Sequence, residues 1–322
     1  MDVGHEKLIK LKLLSELVWD GKADYNEVIS WIDGLKNHID INEVDVCNLI
    51  YALEHFIYFN SMLIDSLLTA MYRDLYQYDI IYEIRRTNNN TLDEQFIENS
   101  LSIERLKTRF IGVGGASESG SYLLYPFRIK NSLGTDLFLN ASEILRNAQG
   151  PAQLKEPHIS RYIFIDDFCG TGDQCEKYLK SITQKIKEAN SEVFISYMCL
   201  AGTKDGLENV RREIPFIDKV QTLIELDDSF KVFDQTSRYY LSPHTSHLSN
   251  INQEYFKGLC DRFADKLGIP SDMRYGHKNC QLLIAFQHNT PDNTLPIFWH
   301  ATDDSSLAPV FKRKIKQYEG TP

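Results

Sequence analysis

Arg161-Tyr-Ile-Phe-Ile-Asp-Asp-Phe-Cys-Gly-Thr-Gly-Asp-Gln174 is the stretch whose reading decides the fold. Its apolar run, Tyr162 to Ile165, has the length and character of a buried parallel strand. Two carboxylates, Asp166 and Asp167, close the run, and a turn containing Gly170 and Gly172 follows. An amphipathic segment begins near Asp173, with Tyr178, Leu179, Ile182 and Ile186 on one face. Strand, glycine turn and helix in that order gather backbone N–H groups and a helix N-terminus around one small volume. The N–H groups and the helix dipole both favour an anion such as phosphate. The carboxylates can accept hydrogen bonds from vicinal hydroxyls, so a sugar phosphate is the first ligand expected. Two other readings stay open: a βα turn in which Thr171 or Asp173 only caps the helix, and an acidic pair holding Mg²⁺.

Outward from this stretch the pattern alternates. Arg109 to Val113 reads as a strand, Gly114 to Gly120 as a tight polar loop, Tyr122 to Ile129 as a second strand or extended segment, and Asp136 to Ala148 as a helix. Beyond it come a strand at Val193 to Leu200, a helix at Lys204 to Arg212 and a strand at Lys219 to Leu226. Such alternation predicts a parallel sheet with helices on its faces. Tyr255 to Leu267 reads as a helix and Gln281 to Phe286 as a buried strand. Before Lys107 the chain reads as all helical. Asp24 is placed to cap a helix carrying Val28, Trp31, Ile32 and Leu35. Val44 to Ile84 is a long aromatic-rich helical stripe, and Thr91-Leu-Asp-Glu94 has the form of a capping box. The expected division is an all-α domain over 1–107 and an α/β domain with a C-terminal extension over 108–322.

Composition narrows the function classes. The 322 residues are 43% hydrophobic and 25% charged, as in folded globular chains. A net charge of −10 argues against autonomous, charge-driven binding to nucleic acid. The N-terminus lacks a basic segment followed by an apolar one, and Asn48 to Ile84 is too often charged to span a bilayer. Six scattered cysteines without a C-x-x-C pair read as reduced thiols. A cytoplasmic protein without membrane contact is expected.

Asp166-Asp167-x-x-x-Thr171-Gly172 after an apolar strand resembles the diphosphoribose-binding motif of the type I phosphoribosyltransferases. The resemblance implies a parallel-sheet α/β fold of that type, preceded by the all-α domain. It implies that Asp166 and Asp167 contact ribose as catalytic residues, and that Cys169, Gly170, Thr171, Gly172, Asp173 and Gln174 line the phosphate. It places a diphosphate loop one strand earlier, at Gly115, Ser117, Ser119 and Gly120, with Arg128 supplying positive charge. Mg²⁺ accompanies the diphosphate in such chemistry. Enzymes of this type that act on 6-oxopurines carry a carboxylate where this chain has Gly170, so hypoxanthine or guanine recycling is disfavoured. Asp173-Gln174 also depart from the usual Gly-Thr continuation.

The wider sequence is similar to a narrower group, phosphoribosyltransferase-like effectors of bacterial conflict and anti-phage loci, some beside retron reverse transcriptases. The resembling features are Trp31 with the run Tyr51 to Phe59, Gly112 to Arg128, Asp166 to Gln174 and His288 to His300. This resemblance implies a toxic effector that modifies or depletes nucleotides, with a reverse transcriptase and noncoding RNA complex as a partner. A catalytically inactive nucleotide sensor, or a structural subunit of a defence nucleoprotein complex, is the alternative.

Read physically, Asn289, Asn293 and Thr294 suit a nucleobase edge and Trp299 or Phe298 its face, unless the Pro-bracketed loop merely caps itself. His244 and His247 have the spacing of two metal ligands but no matching partners, and Asp227-Asp228 reads as a solvated strand end.

Overall fold

The computed structural model describes residues 5–115, 118–146, 151–240, 250–302 and 305–314. In chain order come helices α1 (His5–Leu17), α2 (Tyr25–His38) and α3 (Glu43–Glu54), strand β1 (Ile57–Phe59) and helix α4 (Ser61–Ala70). A π-helical segment, Met71–Gln77, leads into α5 (Tyr78–Thr87), and α6 (Glu94–Leu106) follows. Next are β2 (Thr108–Gly112), α7 (Ser119–Lys130), β3 (Arg161–Cys169), α8 (Asp173–Ala189), β4 (Phe194–Thr203), α9 (Lys204–Glu213) and β5 (Lys219–Leu226). Helix α10 (Gln253–Lys266) and strand β6 (Ile284–Phe286) complete the regular elements. Among the described residues no helix is long and apolar enough to cross a membrane.

The chain folds as two compact units, Met62–Leu226 and a discontinuous one made of Met1–Ser61 with Asp227–Pro322. This differs from the expected division at 107/108: helices α5 and α6 belong with the sheet, and the C-terminal third joins the first helices. In the discontinuous unit Asp24 caps α2 in a capping box with Glu27, and Asn42 caps α3 with Asp45. Strand β6 pairs in parallel with β1. The two chain segments share one core in which Phe56 meets Phe311 at 4.3 Å between ring centroids. The Trp31 indole donates to the carbonyl of Ile297 at 3.1 Å, and Arg262 pairs with the buried Asp45 at 2.8 Å.

The other unit is built on a four-stranded parallel sheet in the order β2-β3-β4-β5. Alternation of side chains across the strands gives the sheet two buried faces. Ile111, Tyr162, Phe164, Ile195 and Tyr197 pack with Leu179 and Ile186 of α8 and with Leu207 and Val210 of α9. Phe110 turns the other way, to Phe127 of α7 and Tyr76 of the π-helical segment at 5.2 and 5.1 Å.

Three local expectations are corrected. Tyr122 to Ile129 is helix α7 and not a strand: Leu123 and Phe127, four residues apart, are the buried positions, while Tyr122, Tyr125 and Ile129 are exposed. The helix expected at 136–148 is replaced, among its described residues, by 3₁₀ turns at Thr135–Leu137 and Ala141–Glu143. Leu139 N–H instead donates to Phe110 at the open edge of β2, so the edge takes the hydrogen bonds a helix would have used. Asp93, not Thr91, caps α6 by accepting from Phe96 N–H.

Close approach of α7 to the sheet depends on Gly120, where a Cβ would lie 2.4 Å from the Val113 carbonyl oxygen and 2.9 Å from that of Ile165. Gly120→Ala should lower the stability read from urea unfolding by roughly 1–3 kcal/mol. Gly115→Ala, with nothing nearer than 3.9 Å to the added methyl, should stay within about 0.5 kcal/mol of wild type.

Candidate functional site

Strands β2 and β3 are adjacent and parallel, so the loops at their carboxyl ends, 113–118 and 170–172, open on the same edge of the sheet. Side chains tie them together. The Ser119 hydroxyl donates to Asp167 Oδ1 at 2.9 Å. Tyr178 Oη of α8 donates to Glu118 Oε1 at 2.9 Å, and the Gln174 amide donates to Glu118 Oε2 at 3.3 Å. The structure thus brings Gly115, Ser119 and Gly120 to the Asp166–Gln174 stretch; Ser117 lies outside the described residues, as do His244 and His247.

The two carboxylates interact with each other but have different further partners: Asp167 N–H donates to Asp166 Oδ1 at 3.0 Å, and the charge of each bears on the other. Asp166 is 2% exposed and turns into the core beneath α8. It accepts from Tyr197 Oη at 3.2 Å and lies 4.0 Å from the Cys175 thiol. Burial, and then the charge of Asp167, pushes its carboxyl well above the ordinary range. Asp166, expected to contact ribose, thus lies buried, bonded to Tyr197 and to Asp167 N–H. Asp167, 8% exposed, turns instead to Ser119, and its Oδ1 also accepts from Phe168 N–H at 2.9 Å.

The loop between them and α8 is shaped by α9. Thr203 Oγ1 donates to the Gly170 carbonyl at 2.5 Å and accepts from Gly206 N–H at 2.9 Å, and Asn209 donates to the Thr171 carbonyl at 2.9 Å. A trans peptide directs its N–H opposite to its C=O, so these two bonds turn the N–H groups of Thr171 and Gly172 away from α9. Among the described residues no acceptor takes either N–H. Gly172 sits at φ +81° as the α8 N-cap, with no side-chain cap. The first turn of α8 adds the backbone N–H groups of a helix N-terminus. Gly170 to Gly172 can therefore present N–H groups to an anion.

Cys169 is buried and its side chain faces inward, so only its backbone is available; a hydrogen bond from Cys175 lowers its thiol pKa, while Cys175 itself is pushed well up. Asp173 N–H lies 3.5 Å from Thr171 Oγ1, and Gln174 serves Glu118. No Lys or Arg occurs in 110–127 or 162–176, so both loops lack a cation of their own.

Two expected groups fall elsewhere. Arg128 lies on α7, about 13 Å further along the helix axis than Ser119, with its guanidinium over Tyr125 at 5.5 Å. The expected base contacts lie in the discontinuous unit and are used within it. Trp299, 8% exposed, donates its indole N–H to Thr294 O at 2.7 Å, and Thr294 Oγ1 donates to Ile284 O at 2.6 Å. Asn293 donates to the Cys280 sulfur, and Asn289 Oδ1 accepts from Lys314 N–H at 2.8 Å. The self-capping loop accounts for these side chains. Asp227 likewise caps a 3₁₀ turn through Ser229 N–H. Sequence reasoning missed Thr203, Gly206 and Asn209, whose only signal was a Thr at a strand end ahead of a helix, and it passed over Glu118.

These loops on this sheet define a type I phosphoribosyltransferase-like α/β fold with a helical N-terminal region. More narrowly, the chain belongs to the PRTase-CE family, whose sequence model matches residues 28–313. No curated protein matches the chain. Among solved structures, the AQ2163 protein of Aquifex aeolicus is similar at 10% identity and TM-score 0.26, over 38% of this chain and 56% of that one. The xanthine-guanine-hypoxanthine phosphoribosyltransferase of Helicobacter pylori is similar at 7% identity and TM-score 0.27, over 53% and 89%. The purine phosphoribosyltransferase of Pyrococcus horikoshii follows at 12% and 0.24, over 53% and 91%. Such distant likeness brings no substrate to this chain.

The buried Asp166 predicts a pH dependence. Its raised folded-state pKa means that its contribution to stability is complete below the unfolded carboxylate value, about 3.9, and is lost as pH rises toward the folded value. Asp166→Asn removes that loss. Urea unfolding from about pH 5 to 8 should show the variant gaining on wild type as pH rises; parallel profiles would contradict the buried acid.

Proposed function

We propose that this chain is a pentosyltransferase-like enzyme acting on phosphoribosyl diphosphate, or on a nucleotide containing the same ribose 5-phosphate. The observation that carries the reading is the outward-turned N–H pair of Thr171 and Gly172, just after Asp167 on β3 and one strand away from Ser119. The 5′-phosphate would rest on those N–H groups and the α8 N-terminus. Asp167 would accept hydrogen bonds from the ribose hydroxyls, with Ser119 holding its orientation. Displacement at the anomeric carbon passes through an oxocarbenium-like state, which an adjacent carboxylate stabilises electrostatically.

Glu118 stands over the loop pair, bonded to Gln174 and Tyr178, and its carboxylate would repel an incoming diphosphate. The ligand would displace it. With no basic residue in either loop, charge compensation would come from Mg²⁺. Among the described residues no group of three side chains is preassembled for a metal, which fits an ion held by one or two carboxylates and substrate phosphates. Asp167 would hold it, and when bound it would neutralise the leaving diphosphate.

In the anti-phage setting that the resemblance implies, the enzyme would be a toxic effector that modifies or depletes nucleotides, restrained by a retron-type partner complex. Glycine at 170, where a general base is absent, favours a second reading: a nucleotide sensor without chemistry.

Calorimetry with phosphoribosyl diphosphate and Mg²⁺ should give saturable binding that weakens roughly tenfold in Asp167→Asn and strengthens in Glu118→Gln. Equal affinity in wild type and Asp167→Asn would sink the assignment. Diphosphate release from labelled substrate separates enzyme from sensor: binding with no turnover over hours selects the sensor.

A further inference from the structure

The discontinuous unit has a cleft of its own. We propose that it binds a free nucleotide, with Lys22, Lys312 and Lys314 holding the phosphates and the aromatic floor beneath taking the base. The cleft has a volume of about 700 Å³ and is floored by Tyr58, Phe286 and Phe311, within the usual size of small-molecule sites.

Its cations are fixed in place by the fold. Lys22 Nζ donates to the Gln287 carbonyl at 2.6 Å and lies 5.9 Å from the Tyr58 ring centroid. The segment after Phe311 is tied to the neighbouring loop. Arg313 turns inward, donating to Thr290 O at 2.8 Å and pairing with Asp292 at 2.9 Å, while Lys314 N–H bonds Asn289. Lys312 and Lys314 are exposed and line the cleft.

Among the described residues no carboxylate pairs with Lys312 or Lys314. Partial burial lowers the Lys22 pKa, Asp20 opposes this, and the charge of Lys314 lowers it further. Like charges gathered this way on a chain of net charge −10 raise the free energy of the empty cleft, and a polyanion relieves it. Glu27 also lines the cleft, but its carboxylate accepts from Asp24 N–H in the α2 cap. Asn26, Ser30 and Asn289 add neutral polar groups at the rim. Several ammonium groups suit a di- or triphosphate better than a single carboxylate. A ring-lined floor suits a planar base, and the volume holds one nucleotide.

The test uses the chain's own tryptophans. All three, Trp19, Trp31 and Trp299, belong to this unit. Trp19 meets Phe311 edge-on at 5.4 Å, and Arg313 lies 5.5 Å from the Trp299 ring centroid. Tripolyphosphate, which does not absorb, and then ADP should each change the emission saturably, with affinity falling as salt rises. ADP should bind more tightly than inorganic diphosphate, since only ADP reaches the floor. Lys312→Gln with Lys314→Gln should weaken both ligands at least roughly tenfold, with an unchanged circular dichroism spectrum. Asp167→Asn, in the other unit, should bind both as wild type does, so this result is separable from failure of the phosphoribosyl assignment. No saturable response, equal affinity in the double variant, or binding of a short single-stranded oligonucleotide without ADP would each overturn the proposal.

Discussion

The carbonyls of Gly170 and Thr171 are claimed by side chains of the next strand and helix, and the arrangement of the loop depends on that clamp. Thr203 and Asn209 hold the two oxygens, and Gly206 allows α9 to come close enough to do so. A Cβ at 206 would lie 2.0 Å from the Gly170 oxygen, and one at 172 would lie 2.8 Å from the Gly206 oxygen. The left-handed Gly172 then starts α8 without a capping side chain. A serine or aspartate cap at 172 would have taken an N–H of the first turn of α8. The start of α8 thus forgoes a side-chain cap.

Much of this was legible in the sequence where local pattern and tertiary packing agree. The run Tyr162 to Ile165, the glycines at 170 and 172, and the α8 stripe all specify βα geometry locally, and the βαβ alternation specifies the parallel sheet. Failures came where a distant partner decided. Tyr122 to Ile129 holds aromatic residues and Pro126, which read as extended, yet Leu123 and Phe127 pack helically against Phe110. Residues 138–139 gave up a helix to cover the edge of β2. At the site, β3 runs on to Cys169, past the apolar run that ends at Ile165, so both carboxylates lie within the strand and take different further partners. Thr203 and Asn209 act across more than 30 residues of chain, a distance at which local pattern is silent.

Charge is distributed unevenly between the two candidate ligand sites. The sheet unit offers an anion backbone N–H groups amid Glu118, Asp167 and Asp173, so selectivity there rests on geometry and on an added cation. The cleft of the discontinuous unit offers ammonium groups above rings. The first arrangement favours a rigidly posed ribosyl phosphate; the second tolerates phosphates of different length.

The discontinuous unit also constrains how the protein is made. Val28, Trp31, Leu49 and Phe56 complete their core only with Phe256, Phe298 and Phe311, and the whole of residues 62–226 is synthesised in between. The sheet unit can close as soon as β5 emerges, since its partners are sequential. The first helices must wait with apolar surface uncovered until the last segment leaves the ribosome, a period in which nascent chains rely on holdase protection. Truncation near the C-terminus would therefore damage the beginning of the chain before its middle.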